Sequence, residues 1–145
     1  MGKQIHQNIK EWVIRISTPK DTLGGLPICP YAKNSKYIII ESDGDNLDSP
    51  QMIFEIIIYV LPDHYTIENL DDIVKKYNRL YPDYVFLPDH KDRNTFISNE
   101  QTNNSNQNLI LCQPRNELLE ARSKLKNTDY YSYWSKEYLN EILNT

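Results

Sequence analysis

The sequence lacks the features that identify membrane, secreted and nucleic-acid-binding proteins. It has only two cysteines, Cys29 and Cys112, and its first residues, MGKQIHQNIKEW, lack the apolar segment of a signal peptide. We therefore expect a reducing, cytoplasmic location and two thiols rather than a disulfide. No apolar run approaches the roughly 20 residues that cross a bilayer. The net charge of −4 provides no broad basic surface, so neither a membrane nor a nucleic acid is an expected partner.

The sequence also lacks motifs that are specific for one type of reaction. There is no phosphate-binding loop, nucleophile elbow or paired catalytic carboxylate motif, and the sequence identifies no cofactor. With 39% hydrophobic and 25% charged residues, the composition is typical of a globular protein. Because 145 residues are enough to bury a core without disulfides or metal, we expect a single domain over residues 1–145.

Apolar periodicity predicts the helices, and runs of β-branched residues predict the strands. The predicted helices are 4–17, 67–80 and 116–126, followed by a short helix in the Tyr-rich C-terminal segment. The predicted strands are A (37–41), B (52–61), C (84–88) and D (108–113). Between them, residues 18–35 contain Gly and Pro at positions that predict a loop, and 89–107 is a long polar stretch, typical of a functional or mobile connection.

The order of these elements predicts an α+β fold. Because a helix joins B to C, these strands should run parallel through a right-handed crossover, with D antiparallel to both. The run from B onward resembles a ferredoxin-like arrangement, in which D inserts between B and C. The turn cluster SDGDNLDSP predicts an A–B hairpin, with A in place of that fold's last strand. We expect a permuted ferredoxin-like sheet of order A-B-D-C, an extra N-terminal helix, and helices 67–80 and 116–126 on one face.

Similar polar turns follow strands B and C. Strand B ends in YVLPDH and strand C in VFLPDH, so Asp63 and His64 leave the sheet at the same edge as Asp89 and His90. With D between them, the two strand ends should lie about 10 Å apart. Ligands collect at the carboxyl ends of parallel strands, so this edge is a candidate site.

Two more segments are expected at this edge. An antiparallel strand A would bring Cys29 and Lys33, which precede it, to the same end of the sheet. The start of strand D, preceded by QTNNSNQN, would add Thr102 and Asn103. Together these segments predict a polar pocket at one sheet edge.

Chemistry assigns roles within this pocket. His64 and His90 are candidate proton carriers because imidazole titrates near neutral pH, and Cys29 is a candidate nucleophile or ligand. The residues predicted to bind a ligand are Lys33, Asp63, Asp89, Thr102 and Asn103.

Other interpretations of these residues stay open. Two His, two Asp and one Cys at one edge suit zinc or iron, but no close-spaced pair such as HxxxH or CxxC accompanies them, and we assign no metal ligand. Pro-Asp is also a common way to leave a strand. Cys29 is alternatively a small buried apolar residue, and Cys112, within strand D, is expected in the core.

Several segments resemble known families. CPYA is similar to the CPYC redox site of glutaredoxins, but here a helix precedes the segment and a strand follows it, unlike in that family. Three segments resemble, in the same order, parts of an uncharacterised bacterial family. IKEWVIRIS resembles that family's Trp-containing helix, and GLPICPYAK resembles its GLxxCPFA segment. QTNNSNQNLILCQPRNELLEAR resembles its TNRSPxPxLHLLR segment and the helix that follows. That family's HPDYxF resembles YPDYVF, with Tyr81 in place of the His. The resemblance implies no established activity.

Two classes of function remain. The first is a ligand-binding or catalytic pocket for an unknown small molecule. The second is a non-enzymatic module that contacts a partner protein through the Asn-rich loop or the Tyr-rich tail. The sequence leaves open whether the protein is an enzyme.

Overall fold

The computed structural model describes residues 2–30, 32, 35–42, 47 and 55–143, which form an α+β fold. The helices are α1 (Gly2–Ser17), α2 (Ile67–Leu80), α3 (Arg115–Lys126) and α4 (Lys136–Leu143). The strands are β1 (Tyr37–Glu41), β2 (Ile56–Leu61), β3 (Tyr84–Asp89), β4 (Phe96–Ile97), β5 (Glu100–Gln101) and β6 (Asn108–Pro114). Within the described residues, no helix is both long and apolar enough to cross a bilayer.

The main sheet has four strands in the order β1-β2-β6-β3, which corresponds to A-B-D-C. Strand β6 runs antiparallel to both β2 and β3, so β2 and β3 are parallel to each other, as the crossover rule predicts. The first residues of predicted strand B lie outside the described residues. Strands β4 and β5 form a separate two-stranded hairpin within the polar stretch that follows β3.

Strand β1 runs in the direction opposite to the one predicted. It pairs with β2 in parallel, with Tyr37 opposite Ile56 and Glu41 opposite Val60, so the expected A–B hairpin is wrong. The connection over residues 42–55 exceeds the dozen or so residues that a return crossover needs, and turn residues alone do not set strand direction. The start of β1 therefore lies at the end of the sheet away from His64.

The sheet is covered on both faces, since side chains of successive strand residues point to opposite sides. Helix α2 packs on one face, where Val74 and Tyr77 join a buried cluster with Phe86 of β3. Helix α1 packs on the other face, where Trp12 joins a second cluster with Leu109 of β6.

Helix α3 lies on the α1 face and not beside α2. Its Leu118 and Leu125 border the same cavity as Leu87 and Leu111, and Leu111 packs with the α1 cluster. The expectation of α2 and α3 on one face is wrong, because an apolar stripe shows which side of a helix is buried but not which face of a sheet it covers. The direction of β1 and the face that α3 covers thus both differ from the ferredoxin-like arrangement expected from the sequence.

The edge strand β3 is tied to α2 by the side chain of Asn78. Its Oδ1 accepts a hydrogen bond from the Phe86 amide at 2.8 Å, and its Nδ2 donates to the Phe86 carbonyl at 3.1 Å. Phe86 is fully buried, and these backbone groups are on the side of β3 that has no partner strand. The amide of Asn78 thus takes the place of a neighbouring strand.

We expect Asn78→Ala to lower the free energy of unfolding by about 1–3 kcal/mol, because it leaves a backbone donor and acceptor without partners. Lys75→Ala, at an exposed position of the same helix, should change it by less than about 0.5 kcal/mol. Urea unfolding measures both values, and similar small effects for the two variants would contradict the role of Asn78.

Candidate functional site

A cavity of about 580 Å³ lies on the α1 face of the sheet, between the sheet and α3. It extends from Asp89, at the end of β3, to Pro114, at the end of β6. Its apolar walls include Ile28, Leu87, Leu111, Leu118, Leu125, Tyr130 and Trp134. The volume is within the range of about 300–1,000 Å³ typical of small-molecule sites.

The Tyr-rich C-terminal segment forms one wall of this cavity. Tyr130 and Tyr131 meet Trp134 edge-on at centroid distances of 5.5 and 5.2 Å, and Tyr138 stacks on Trp134 at 4.9 Å. The segment comprises a 3₁₀ turn, Tyr130–Tyr133, and α4. The Tyr130 hydroxyl also donates to the Ile28 carbonyl. The aromatic side chains of this segment thus pack against one another and against the rest of the chain.

Asp89 forms the polar end of the cavity. Its Oδ1 accepts hydrogen bonds from the backbone amide of Asn104 at 3.1 Å and from the Asn104 side-chain Nδ2 at 2.8 Å. Burial of the carboxyl raises the pKa of Asp89 to about 8, against the opposing effects of those hydrogen bonds and of Arg15. The carboxyl group is therefore mainly protonated at neutral pH, and a pKa in this range suits proton transfer.

Hydroxyl and amide groups of the Asn-rich stretch surround this end of the cavity. The Thr95 and Thr102 hydroxyls share a hydrogen bond, and the Thr102 hydroxyl lies 3.2 Å from that of Tyr138. Asn103 Oδ1 accepts from the Thr95 amide at 3.0 Å. All four residues border the cavity or belong to its wall, so a segment rich in Asn and Thr supplies a connected set of polar groups.

Side chains of helix α1 donate hydrogen bonds to the backbone of this polar segment. The Trp12 indole Nε1 donates to the carbonyl of Thr102 at 2.9 Å, and the Arg15 guanidinium donates to the carbonyls of Gln101 and Asn103. These contacts give three successive carbonyls of the segment, those of residues 101–103, hydrogen-bond donors from α1. They keep Thr102 and Asn103 in fixed positions at the cavity.

The structure brings together part of the predicted site. The predicted residues that border the cavity are Cys29, Asp89, His90, Thr102 and Asn103. Lys33 lies outside the described residues. Asp63 and His64 do not border the cavity.

His90 is buried, with both ring nitrogens bonded to protein. Nδ1 accepts a hydrogen bond from the Asp92 amide at 3.0 Å, so Nε2 carries the hydrogen and donates to the Tyr65 carbonyl at 2.6 Å. Only 4% of the residue is exposed. This arrangement favours a structural role for His90 over proton transfer.

The two turns that follow β2 and β3 are neighbours, as predicted, and Asn108 connects them. Its Nδ2 donates to the carbonyls of Pro62 at 3.0 Å and Tyr65 at 3.2 Å, and its Oδ1 accepts from the Lys91 amide at 3.2 Å. The signal for this role was an Asn directly before the apolar run LILC. Asn108 makes the edge a hydrogen-bonded structure and not an open pocket.

Asp63 and His64 themselves face solvent. The Asp63 side chain is 78% exposed and lies 3.7 Å from the Lys91 ammonium, while His64 packs edge-on against Tyr65. The simpler explanation, that Pro-Asp serves to leave a strand, fits the exposed Asp63. It does not account for Asp89, which borders the cavity and accepts hydrogen bonds from Asn104. Among the described residues, no three His, Cys, Asp or Glu side chains form a group that could hold a metal.

Cys29 reaches the cavity by a different route from the one predicted. Because β1 is parallel to β2, Cys29 does not approach His64. Instead, its amide donates to the Ile16 carbonyl at 2.7 Å, which holds the α1–β1 loop against the α1 face. Cys112 lies in the buried cluster on the α2 side of the sheet, as expected, and burial raises its pKa to about 12.

Arg122 is a cavity residue that we did not single out from the sequence. It borders the cavity, only 6% of it is exposed, and its Nη1 has no hydrogen-bond partner in the described part of the chain. Burial lowers the pKa of its guanidinium, although an arginine stays charged in proteins. The available signal was its place in the apolar stripe of α3, between Leu118 and Leu125.

The raised pKa of Asp89 predicts a pH dependence of stability. An unfolded Asp titrates near pH 3.9 and folded Asp89 near 8, so the folded state retains a proton that the unfolded state releases. The contribution of Asp89 to the free energy of unfolding is therefore fully present below about pH 4 and is lost as the pH rises toward 8. In the wild type, we expect the free energy of unfolding to fall by about 1 kcal/mol per pH unit between about pH 5 and 8 because of this group. The Asp89→Asn variant should lack this fall.

Asp63→Asn is the matched control, because it makes the same change at an exposed position. Urea unfolding of the wild type and both variants across this pH range measures the slopes. The same slope in Asp89→Asn as in the wild type would contradict the assignment. The variant keeps an oxygen that accepts from Asn104, so the hydrogen bonds at Oδ1 are preserved.

We expect Cys29 to be alkylated faster than Cys112 in the native protein. Cys29 is half-buried and borders the cavity, whereas Cys112 is 1% exposed with a pKa raised to about 12. Since the thiolate is the reactive form, brief iodoacetamide treatment and mass-spectrometric mapping should detect the difference. In denaturant the preference should vanish, and faster labelling of Cys112 in the native state would refute it.

Comparison with known proteins adds no assignment: no protein family, curated protein or solved structure matches the chain. The resemblance to an uncharacterised bacterial family stays a prediction. Its best-matched segments, 29–33 and 102–104, both contribute residues to the cavity.

Proposed function

We propose that this chain is a small-molecule-binding protein whose ligand occupies the cavity between the sheet and α3. The observation that carries the proposal is a cavity of about 580 Å³ with apolar walls and polar groups gathered at one end. Apolar surface supplies most of the binding free energy in such sites, and a few polar groups fix the orientation of the ligand.

The polar end supports more than binding. A protonated Asp89 carboxyl would donate a hydrogen bond to a ligand, and its pKa of about 8 suits transfer of that proton. Thr102 and Tyr138 would supply further hydroxyl groups beside it. The proposed site retains the polar pocket expected from the sequence but moves it from the sheet edge to the sheet face. A cytoplasmic location stays a prediction.

The alternative of a protein-interaction module depended on the Asn-rich loop and the Tyr-rich tail. Trp12 and Arg15 hold the loop, and the tail packs as a cavity wall. Both segments thus make their contacts within the chain. Both segments also border the cavity, which favours ligand binding over a partner protein.

A neutral apolar fluorophore, N-phenyl-1-naphthylamine, tests the proposal. It should bind saturably, one molecule per chain, and Ala121→Phe should weaken binding by about tenfold or more, because the new ring occupies the cavity that Ala121 borders. Fluorescence titration measures both affinities.

Leu119→Phe provides the control, since it adds an aromatic ring on the same helix at a position that is 47% exposed. Its affinity should stay within about twofold of the wild type. Circular dichroism would verify that both variants are folded. Equal affinities for the two variants, or binding that does not saturate, would reject the cavity as the site.

A further inference from the structure

We propose that the ligand of this cavity is a small organic anion, an apolar body with a carboxylate, sulfonate or phosphate group that Arg122 binds. The inference rests on the proposed function and names the chemical class of the ligand. It starts from Arg122, a buried cation in the cavity wall.

Arg122 has no counter-ion within the described residues. Its Nη1 has no hydrogen-bond partner, and none of the ion pairs there includes it. The ionisable neighbours that act on its pKa are Tyr131 and Arg115, and neither is a carboxylate. A buried cation without a partner is costly, so its presence at a cavity is explained best by a partner that arrives with the ligand.

The other basic residues at the cavity already have partners. Arg93 lies 3.2 Å from Asp71 and 2.9 Å from Glu141, and Lys124 forms an ion pair on the surface of α3. These side chains are therefore neutralised within the chain. Arg122 alone among the described cavity cations has no acidic partner.

A second buried hydrogen-bond donor without a partner among the described residues also belongs to the cavity wall. The Trp134 indole Nε1 is buried and unbonded within the described residues, and Trp134 also borders the cavity. Arg122, Tyr131 and Trp134 border the same cavity, and the ring of Tyr131 packs 5.2 Å from that of Trp134. An oxyanion has enough lone pairs to accept from a guanidinium and an indole together.

The electrostatics of the cavity are compatible with an anion. The raised pKa keeps the Asp89 carboxyl largely protonated at neutral pH, so it does not repel an anion as a carboxylate would. The remaining acidic residues at the cavity are all exposed to solvent, where water screens their charge. These residues are Glu55, Glu117, Glu120 and Glu141.

A pair of matched fluorophores tests the inference. 8-Anilinonaphthalene-1-sulfonate has the ring system of N-phenyl-1-naphthylamine with an added sulfonate. We expect the wild type to bind the sulfonate at least about tenfold more tightly than the neutral compound. Arg122→Gln should remove that preference and leave the affinity for the neutral compound within about twofold.

Two further variants control for charge and geometry. Lys126→Gln removes the same charge from an exposed position of α3, and the preference for the sulfonate should be retained. Arg122→Lys keeps the positive charge without the planar fork, so it should retain part of the preference. If Lys126→Gln lost the preference for the sulfonate as fully as Arg122→Gln, the sulfonate would be attracted by the overall charge of the chain, and the inference would be overturned.

Thermal unfolding separates ligand binding from a structural role of Arg122. Without ligand, Arg122→Gln should unfold at the same temperature as the wild type or higher, because it removes an unpaired buried charge. A lower unfolding temperature together with weaker binding of both fluorophores would make Arg122 structural. If the neutral compound binds in the cavity and the sulfonate binds no more tightly, the inference fails and the proposed function stands. If neither compound binds, both fail.

Discussion

The backbone pairing of β6 with both β2 and β3 is the interaction on which the rest of the structure depends. It places two parallel strands on either side of one antiparallel strand, so the turns after β2 and β3 leave the sheet side by side. Asn108, the first residue of β6, bonds to both turns. The alternation of side chains along β6 then gives each face of the sheet its own core.

The cavity exists because the α1 face is covered by several elements instead of one. On the opposite face, α2 packs directly on the sheet through a buried cluster. On the α1 face, the cover is shared by α1, the loop that contains Cys29, α3 and the aromatic C-terminal segment, and their meeting leaves an open volume. Helix α1, which the sequence predicts as an addition to the sheet, holds Thr102 and Asn103 in place through Trp12 and Arg15.

Two ionisable groups are buried at this cavity, and burying a charged group costs free energy unless it is neutralised or paired. Asp89 is compensated in part by two hydrogen bonds from Asn104 and in part by staying protonated. Arg122 has neither remedy, since a guanidinium does not lose its proton and no carboxylate accompanies it within the described residues. Departures from good packing and pairing concentrate where proteins bind ligands, and here both lie in one cavity.

The sequence by itself determined most of the helices and strands and much of their order, but not the β4–β5 hairpin inside the polar stretch 89–107. The 3.6-residue periodicity of 67–80 and the apolar runs at 84–88 and 108–113 are local signals, and the structure has α2, β3 and β6 there. The predicted end of strand C located Asp89, and the predicted start of strand D brought Thr102 to the same edge; both residues border the cavity. Only the tertiary structure decided the direction of β1, the face that α3 covers and the burial of Arg122 Nη1 without a hydrogen-bond partner among the described residues. Those outcomes depend on the path of a long connection and on which groups lie opposite one another in space, neither of which a local pattern encodes.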